Sequence, residues 1–457
     1  MTGNGIRAVV LGLLWIFGCH FAGVWCLKLV ESRAQVQTLR FVHAIWRHGD
    51  RTPSTIIPSD TNNSAGSWKQ GLGELTKLGM AQQYRLGQYL RQRYDGFLAK
   101  EYSPFEVYLR SSDYNRTLTS AQANMAGLFE PTDEEMFVKE LKWRPIPVHT
   151  MPKGTDKILF DSIFCPTATT EELSIYGGPE VKAIEKENEA MLTYLGEKSG
   201  YGKIPLPLRD LWYIFDPLNS ENSHPEDHTL PYWVNSTVKA EIWRLYDISS
   251  YYLFGSDLLT RLRGGALFND VLSRMKSVVS GMQDPREKFY GYSAHDTSVA
   301  GILAGFGVHP KEFPPYSSLV LVELHQVDGQ NFVQFFYKNV TDGAELFEHE
   351  IAGCDPPCTL ERLEVARQHV IPLNWEEECG IYRWYNNFNT RSYLFVIGVL
   401  AVLCCALALE VLLTQRKLRK LKAPLNESQR RDILPSQKFL LQSDEEDELD
   451  VNQRLYP

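Results

Sequence analysis

Tyr393 to Leu413 is a run of about 20 residues whose one charge is Glu410, long enough to cross a bilayer. Arg416, Lys417, Arg419, Lys420 and Lys422 follow directly, and such a cluster stays on the cytosolic side. A second apolar stretch, Ala8–Phe17, follows the lone charge Arg7 and is too short to span, which suits a cleaved signal peptide. Together they predict a type I single-pass protein. Its parts are a signal peptide over 1–26, a lumenal domain over 34–390, a membrane helix over 393–413 and a cytosolic tail over 414–457.

That topology puts the main domain in an oxidising compartment and gives its cysteines a meaning. Cys19 and Cys26 fall in the signal region, and Cys404 and Cys405 in the span. Cys165, Cys354, Cys358 and Cys379 remain outside, and four cysteines allow three connectivities. Cys354-Asp-Pro-Pro-Cys358 is a tight local pair, which leaves Cys165 to Cys379. The apolar fraction of 44% and charged fraction of 23% suit a packed domain. A net charge of -9 argues against nucleic acid as a partner.

Within the lumenal part, Phe41-Val42-His43-Ala44-Ile45-Trp46 reads as a buried strand. Arg47, His48, Gly49, Asp50, Arg51, Thr52 and Pro53 follow, and Gly and Pro end the strand there. Two guanidinium forks that match phosphoryl oxygens are thus delivered beside a histidine able to act as nucleophile. Their charges would also keep the His48 imidazole neutral. Phe105 to Arg110 reads as a second strand with one half-covered face, ending in a turn and a helix from Thr117 to Phe129. Lys288 to Ser293 is a third, ending in Ala294-His295-Asp296, with a helix from Thr297 to about Ala304 that Gly305 and Gly307 stop. Ligands in open α/β sheets sit outside such strand ends.

Elsewhere, Thr76 opens a helix with Leu78, Leu86, Tyr89, Leu90 and Phe97 on its apolar side. Residues 160–263 carry helical spacing with proline breaks, suggesting a mainly helical insertion that caps the sheet. Leu319–His325 and Phe332–Lys338 alternate as a hairpin across Val327-Asp328-Gly329-Gln330.

The string Arg47-His48-Gly49-Asp50-Arg51-Thr52-Pro53, with Tyr108 to Asp113, Trp143 to Thr150 and Tyr292 to Thr297, resembles the histidine acid phosphatases, in particular their lysosomal, prostatic and testicular branch. The resemblance implies an α/β fold of the phosphoglycerate-mutase kind, with a central mixed sheet, flanking helices and a helical cap. It implies a metal-independent acid phosphatase with no cofactor, hydrolysing phosphate monoesters through a phosphohistidine on His48. Arg47, Arg51, Arg110 and His295 would bind phosphate and Asp296 would be the general acid. It favours the disulfides Cys165–Cys379 and Cys354–Cys358, an aromatic leaving-group wall at Trp212, and a homodimer contact near Trp143.

Asn62, Asn235 and Asn339 are the expected glycosylation acceptors. Asn115 is a sequon too, but a glycan there would obstruct Arg110, and Asn426 lies on the cytosolic side. Other readings are a phosphatase dedicated to one phosphoinositol, lysophospholipid or phosphoprotein, and a non-catalytic membrane glycoprotein. Leu440-Leu441 beside the acidic run Asp444–Glu448 points to endolysosomal delivery, with the plasma membrane as the alternative.

Overall fold

The structure is a computed structural model that describes residues 28–29, 33–159, 164–340, 343, 345–381 and 390–421. The expected signal peptide, Asn426 and the dileucine tail lie outside the described residues.

The strands are β1 (Lys28–Leu29), β2 (Leu39–Arg47), β3 (Val107–Ser111), β4 (Phe289–Ala294), β5 (Leu319–Val327), β6 (Gln330–Lys338) and β7 (Phe347–Glu348). They form one mixed sheet in the order β1-β7-β6-β5-β2-β4-β3. β2, β4 and β3 run parallel, while β5 closes antiparallel on the other side of β2. The parallel trio therefore ends its three carboxyl termini side by side. β2 is buried on both faces because apolar helices cover the sheet from each side, which explains its near-continuous apolar sequence. β3 is likewise more buried than its sequence suggested.

On one face lie α1 (Lys77–Arg93) and α2 (Asn115–Leu128), packing Leu86, Leu90, Met125 and Leu128 against Val42, Ala44 and Trp46. Thr76 caps α1 by accepting the Gly79 N–H at 3.1 Å. The expected core position Leu78 is exposed, because the buried stripe of α1 is set by Gly79, Gln82, Gln83 and Leu86. Phe97 comes after the helix has ended. The two helices cross at facing glycines: a Cβ on Gly87 would collide with the Asn124 carbonyl, and one on Gly127 with that of Tyr84. α1 meets the turn after β2 in the same way, where Gly49 and Gly79 touch backbone to backbone. Side chains have been removed at these contacts so that elements carrying functional groups can approach closely.

The cap is helical, as expected, with α3 (Pro166–Gly177), α4 (Pro179–Glu187), α5 (Glu189–Ser199), α6 (Trp212–Ser223) and α7 (Ser236–Tyr251) around a core of their own. The other sheet face is covered by α8 (Gly265–Val279), α9 (Asp296–Phe306) and α10 (Leu360–Arg367). α9 continues through Gly305 and is stopped by Gly307 alone, at φ 80°. The hairpin turn is tighter than the sequence reading: Asp328 and Gly329, both with positive φ, join β5 directly to β6. His43, on the face of β2 toward Tyr290 and Tyr292, is fully buried with neither ring nitrogen hydrogen-bonded, and burial followed by the Arg274 charge keeps it neutral.

The disulfides are Cys165–Cys379 and Cys354–Cys358. The first closes a loop of 214 residues, for which chain-entropy reasoning gives a stabilisation of about 5 kcal/mol. α11 (Thr390–Leu421) forms a separate unit. Its segment Ser392–Arg419 is the one helix, among the described residues, long and apolar enough to cross a membrane.

Candidate active site

The carboxyl ends of β2 and β4 are tied by the His48 N–H, which donates to the Ala294 carbonyl at 2.9 Å. Ser112 N–H donates to the Ser293 carbonyl at 3.1 Å and joins the end of β3 to them. His48 and His295 are thereby placed with ring centroids 5.5 Å apart. His48 Nδ1 lies 2.8 Å from the Gly49 carbonyl, an acceptor only, so Nδ1 carries the proton and Nε2 keeps its lone pair. Burial first, then the charges of Arg116, Arg47 and Arg51, hold this imidazole neutral well below its usual range. His295 is pushed down to about 3 by burial and then by Arg116, against the pull of Asp296. Its Nε2 meets Ser112 Oγ at 2.9 Å.

Arg47 donates to the Pro314 carbonyl at 2.7 Å and to Asp296 Oδ2 at 2.8 Å, with its guanidinium 4.3 Å from the Tyr316 ring centre. Arg51 pairs with Asp216 of α6 at 2.5 Å, and Asp216 also accepts the Ser54 N–H at 2.7 Å. Asp296 opens α9, so the helix N-terminus favours its ionised form. Burial works to raise its carboxyl, but Arg47 and Arg51 outweigh that and hold it below the ordinary carboxylate range.

Arg110 is paired with a carboxylate of its own. Strand alternation puts it on the face shared with Tyr108 and Tyr290, where Asp156 takes its guanidinium at 2.6 Å. The third arginine at the histidines is Arg116, on the first turn of α2. Its Nη2 stands 3.5 Å from His295 Nδ1, and its guanidinium lies 4.2 Å from the Tyr114 ring centre. Burial and then Arg51 bring its pKa down to about 10, so it stays charged. The Nε atoms of Arg47, Arg51 and Arg116 are buried without hydrogen-bond partners, as is that of Arg110. Buried donors of this kind call for an acceptor, and an oxyanion supplies several. Sequence reasoning passed over Arg116 because it followed the strand end; the signal was there in the Asn115-Arg116-Thr117 sequon, read only for its asparagine. Asp216 and Tyr316 were also missed.

Beside Asp296 a cleft of about 380 Å³ opens toward the cap, walled by Trp212, Tyr213, Tyr246 and Phe313. Trp212 thus lines the same cleft as Asp296. Arg209 is in the same lining but so are Glu172 and Asp210, so no cationic surface forms there. Asn62, Asn235 and Asn339 are exposed, as is Asn115, whose side-chain amide donates to Glu74 at 2.9 Å.

A family model for the histidine phosphatase superfamily (branch 2) matches residues 38–338. Putative acid phosphatase 5 of Caenorhabditis elegans is 37% identical over 92% of this chain and 96% of that protein. Human prostatic acid phosphatase is 36% identical over 82% of this chain and 94% of its own length. Bovine lysosomal acid phosphatase is also 36% identical, over 84% and 90%. The fold matches the phytase of Hafnia alvei with a TM-score of 0.58 at 15% identity, covering 75% of this chain and 98% of that one.

Proposed function

Because the chain belongs to the histidine phosphatase superfamily (branch 2) and is a phosphatase acting on phosphate monoesters, we propose that His48 is its nucleophile and Asp296 its general acid. The observation that carries this is the pairing of a His48 whose Nδ1 proton is fixed on Gly49 with a carboxyl held by Arg47. His48 Nε2 forms the N–P bond while the P–O bond of the ester breaks, and the Asp296 proton goes to the departing oxygen. Water then attacks phosphorus, Asp296 takes a proton from it, the N–P bond breaks and phosphate leaves. Arg47, Arg51, Arg116 and His295 hold the phosphoryl oxygens, and positioning with charge stabilisation supplies most of the rate.

The free site holds Asp296 ionised, yet the acid must carry a proton. A bound phosphoryl dianion resolves this: it engages Arg47 and Arg51, cancels the charges that depress the carboxyl, and adds its own repulsion. Substrate binding thereby protonates the acid it needs.

The aromatic cleft with balanced charge supports a broad range of monoesters over a polyphosphorylated one. Arg116→Ala should raise KM for an aryl phosphate and lower kcat/KM by roughly 10²–10³-fold, while Arg110→Ala, which loses an ion pair with Asp156, should act mainly on thermal stability. Equal catalytic losses from both would return Arg110 to the phosphate site.

The lysosomal relatives and the apolar helix fit a lysosomal membrane protein. The domain is read as lumenal and the tail as a cytosolic sorting signal. Leu440→Ala with Leu441→Ala should shift the protein to the cell surface in imaging; an unchanged distribution would leave the tail a plain extension.

A further inference from the structure

The turn between β2 and α1 is gripped by the cap at two places. One is Asp216, already described, which holds Arg51. The other is Asp50, between Gly49 and Arg51 and fully buried. Asp50 gives its N–H to Gln82 Oε1 at 2.7 Å and its carbonyl to the Thr76 N–H at 3.1 Å, both around the start of α1. Its carboxylate Oδ2 accepts Thr76 Oγ1 at 2.5 Å and His224 Nε2 at 2.6 Å. His224 is the residue that ends α6, so one cap helix holds the phosphoryl-binding turn through both Asp216 and His224. Trp68 stands edge-on to the His224 ring at 5.8 Å and stacks on His228 at 3.7 Å, which fixes the imidazole in place.

Asp50 has no other cationic partner among the described residues, and a buried carboxylate stripped of its countercharge is costly. The side chain of His224 keeps 19% of its surface in water, so it can exchange protons. Its titratable neighbours are Asp50 on the turn, Asp227 just beyond α6, and His228. The hydrogen bond it donates to Asp50 raises its pKa, burial opposes, and the charges of Asp50 and Asp227 add to the rise.

We propose that His224 is a positioning residue whose charged form locks Asp50, and with it the Gly49–Arg51 backbone, into the phosphoryl-binding geometry, so that acid strengthens the hold on the substrate. This rests on the turn being the phosphoryl site. As pH rises through the raised His224 value, the imidazolium loses its proton, Asp50 is left buried without a countercharge, and the turn loosens.

Inorganic sulfate tests this, because it mimics the phosphoryl dianion and does not itself titrate between pH 5 and 8. Its competitive Ki against an aryl phosphate is measured across that range in the full chain. Wild type should bind sulfate more weakly as pH rises past the ordinary histidine value of about 6.5. His224→Gln keeps a donor but no charge; at pH 5 it should bind sulfate roughly 5–10-fold more weakly than wild type, the low end of site-to-site coupling, and converge with it by pH 8. His224→Arg, charged throughout, should bind sulfate more tightly than wild type at pH 8 and match it at pH 5, keeping only the fall with pH that proton uptake at Asp296 gives every variant. In both variants the effect should fall on KM more than on kcat. Parallel profiles for wild type and His224→Gln, offset equally at every pH, would reduce His224 to a structural contact and overturn the proposal. Failure of sulfate to compete in wild type would overturn the site reading itself, and this inference with it.

Discussion

Replacing His48 by alanine should lower kcat by roughly 10⁴–10⁶-fold, the scale seen when a covalent nucleophile is removed and only positioning remains. Wild type quenched in base during turnover should carry an acid-labile phosphoryl group, and the variant none. Phosphate affinity should survive, since Arg47, Arg51 and Arg116 are held by Pro314, Asp216 and Tyr114 and not by the imidazole. Because burial and three arginines keep His48 neutral, the nucleophile should not titrate in the mildly acidic range, where an ordinary imidazole would be mostly protonated and useless. A His48→Ala protein with near-normal turnover, or with an intact phosphoenzyme, would remove the mechanism.

Asp296→Asn should act differently according to what leaves. An alkyl phosphate, with a poor leaving group, should slow by roughly 10²–10⁴-fold, and an activated aryl phosphate far less, because the aryl oxide departs without a proton. The pH profile sharpens the test. The acid works protonated, so wild-type kcat on alkyl esters should fall as pH rises through the carboxyl value of the substrate complex, and the variant should lack that limb. Equal losses on both substrates would assign Asp296 to holding Arg47 in place.

Much of this site was legible because its parts are local in sequence. Strand, stop and functional turn recur at Arg47-His48 and His295-Asp296, and hydrophobic runs bounded by Gly or Pro are what single-sequence reasoning reads best. At Arg110 it could not see Asp156, which takes the guanidinium from 46 positions away. The residues that grip the turn were also invisible. Asp216 reaches Arg51 across 165 positions and His224 reaches Asp50 across 174, and neither carries a mark in its own neighbourhood. Gly87 and Gly127 of α1 and α2 carry no local signal either, since the backbone crossing they mark is made between two helices.

The neutral, buried histidines have a consequence for the protein as a whole. His43, His48 and His295 refuse protons in the fold that they would accept in the unfolded chain. Below the ordinary imidazole range the unfolded state therefore binds more protons at these three sites than the native state, and their share of the stability falls as pH falls. Each such group contributes about 1.4 kcal/mol per pH unit, so three together give a slope of about 4 kcal/mol per unit. That is a large fraction of a typical folding free energy of about 5–15 kcal/mol. An acidic medium is thus one in which these buried histidines cost the fold stability. The 214-residue loop closed by Cys165–Cys379 supplies, in a form that does not titrate, a reserve of the same size as one pH unit of that loss.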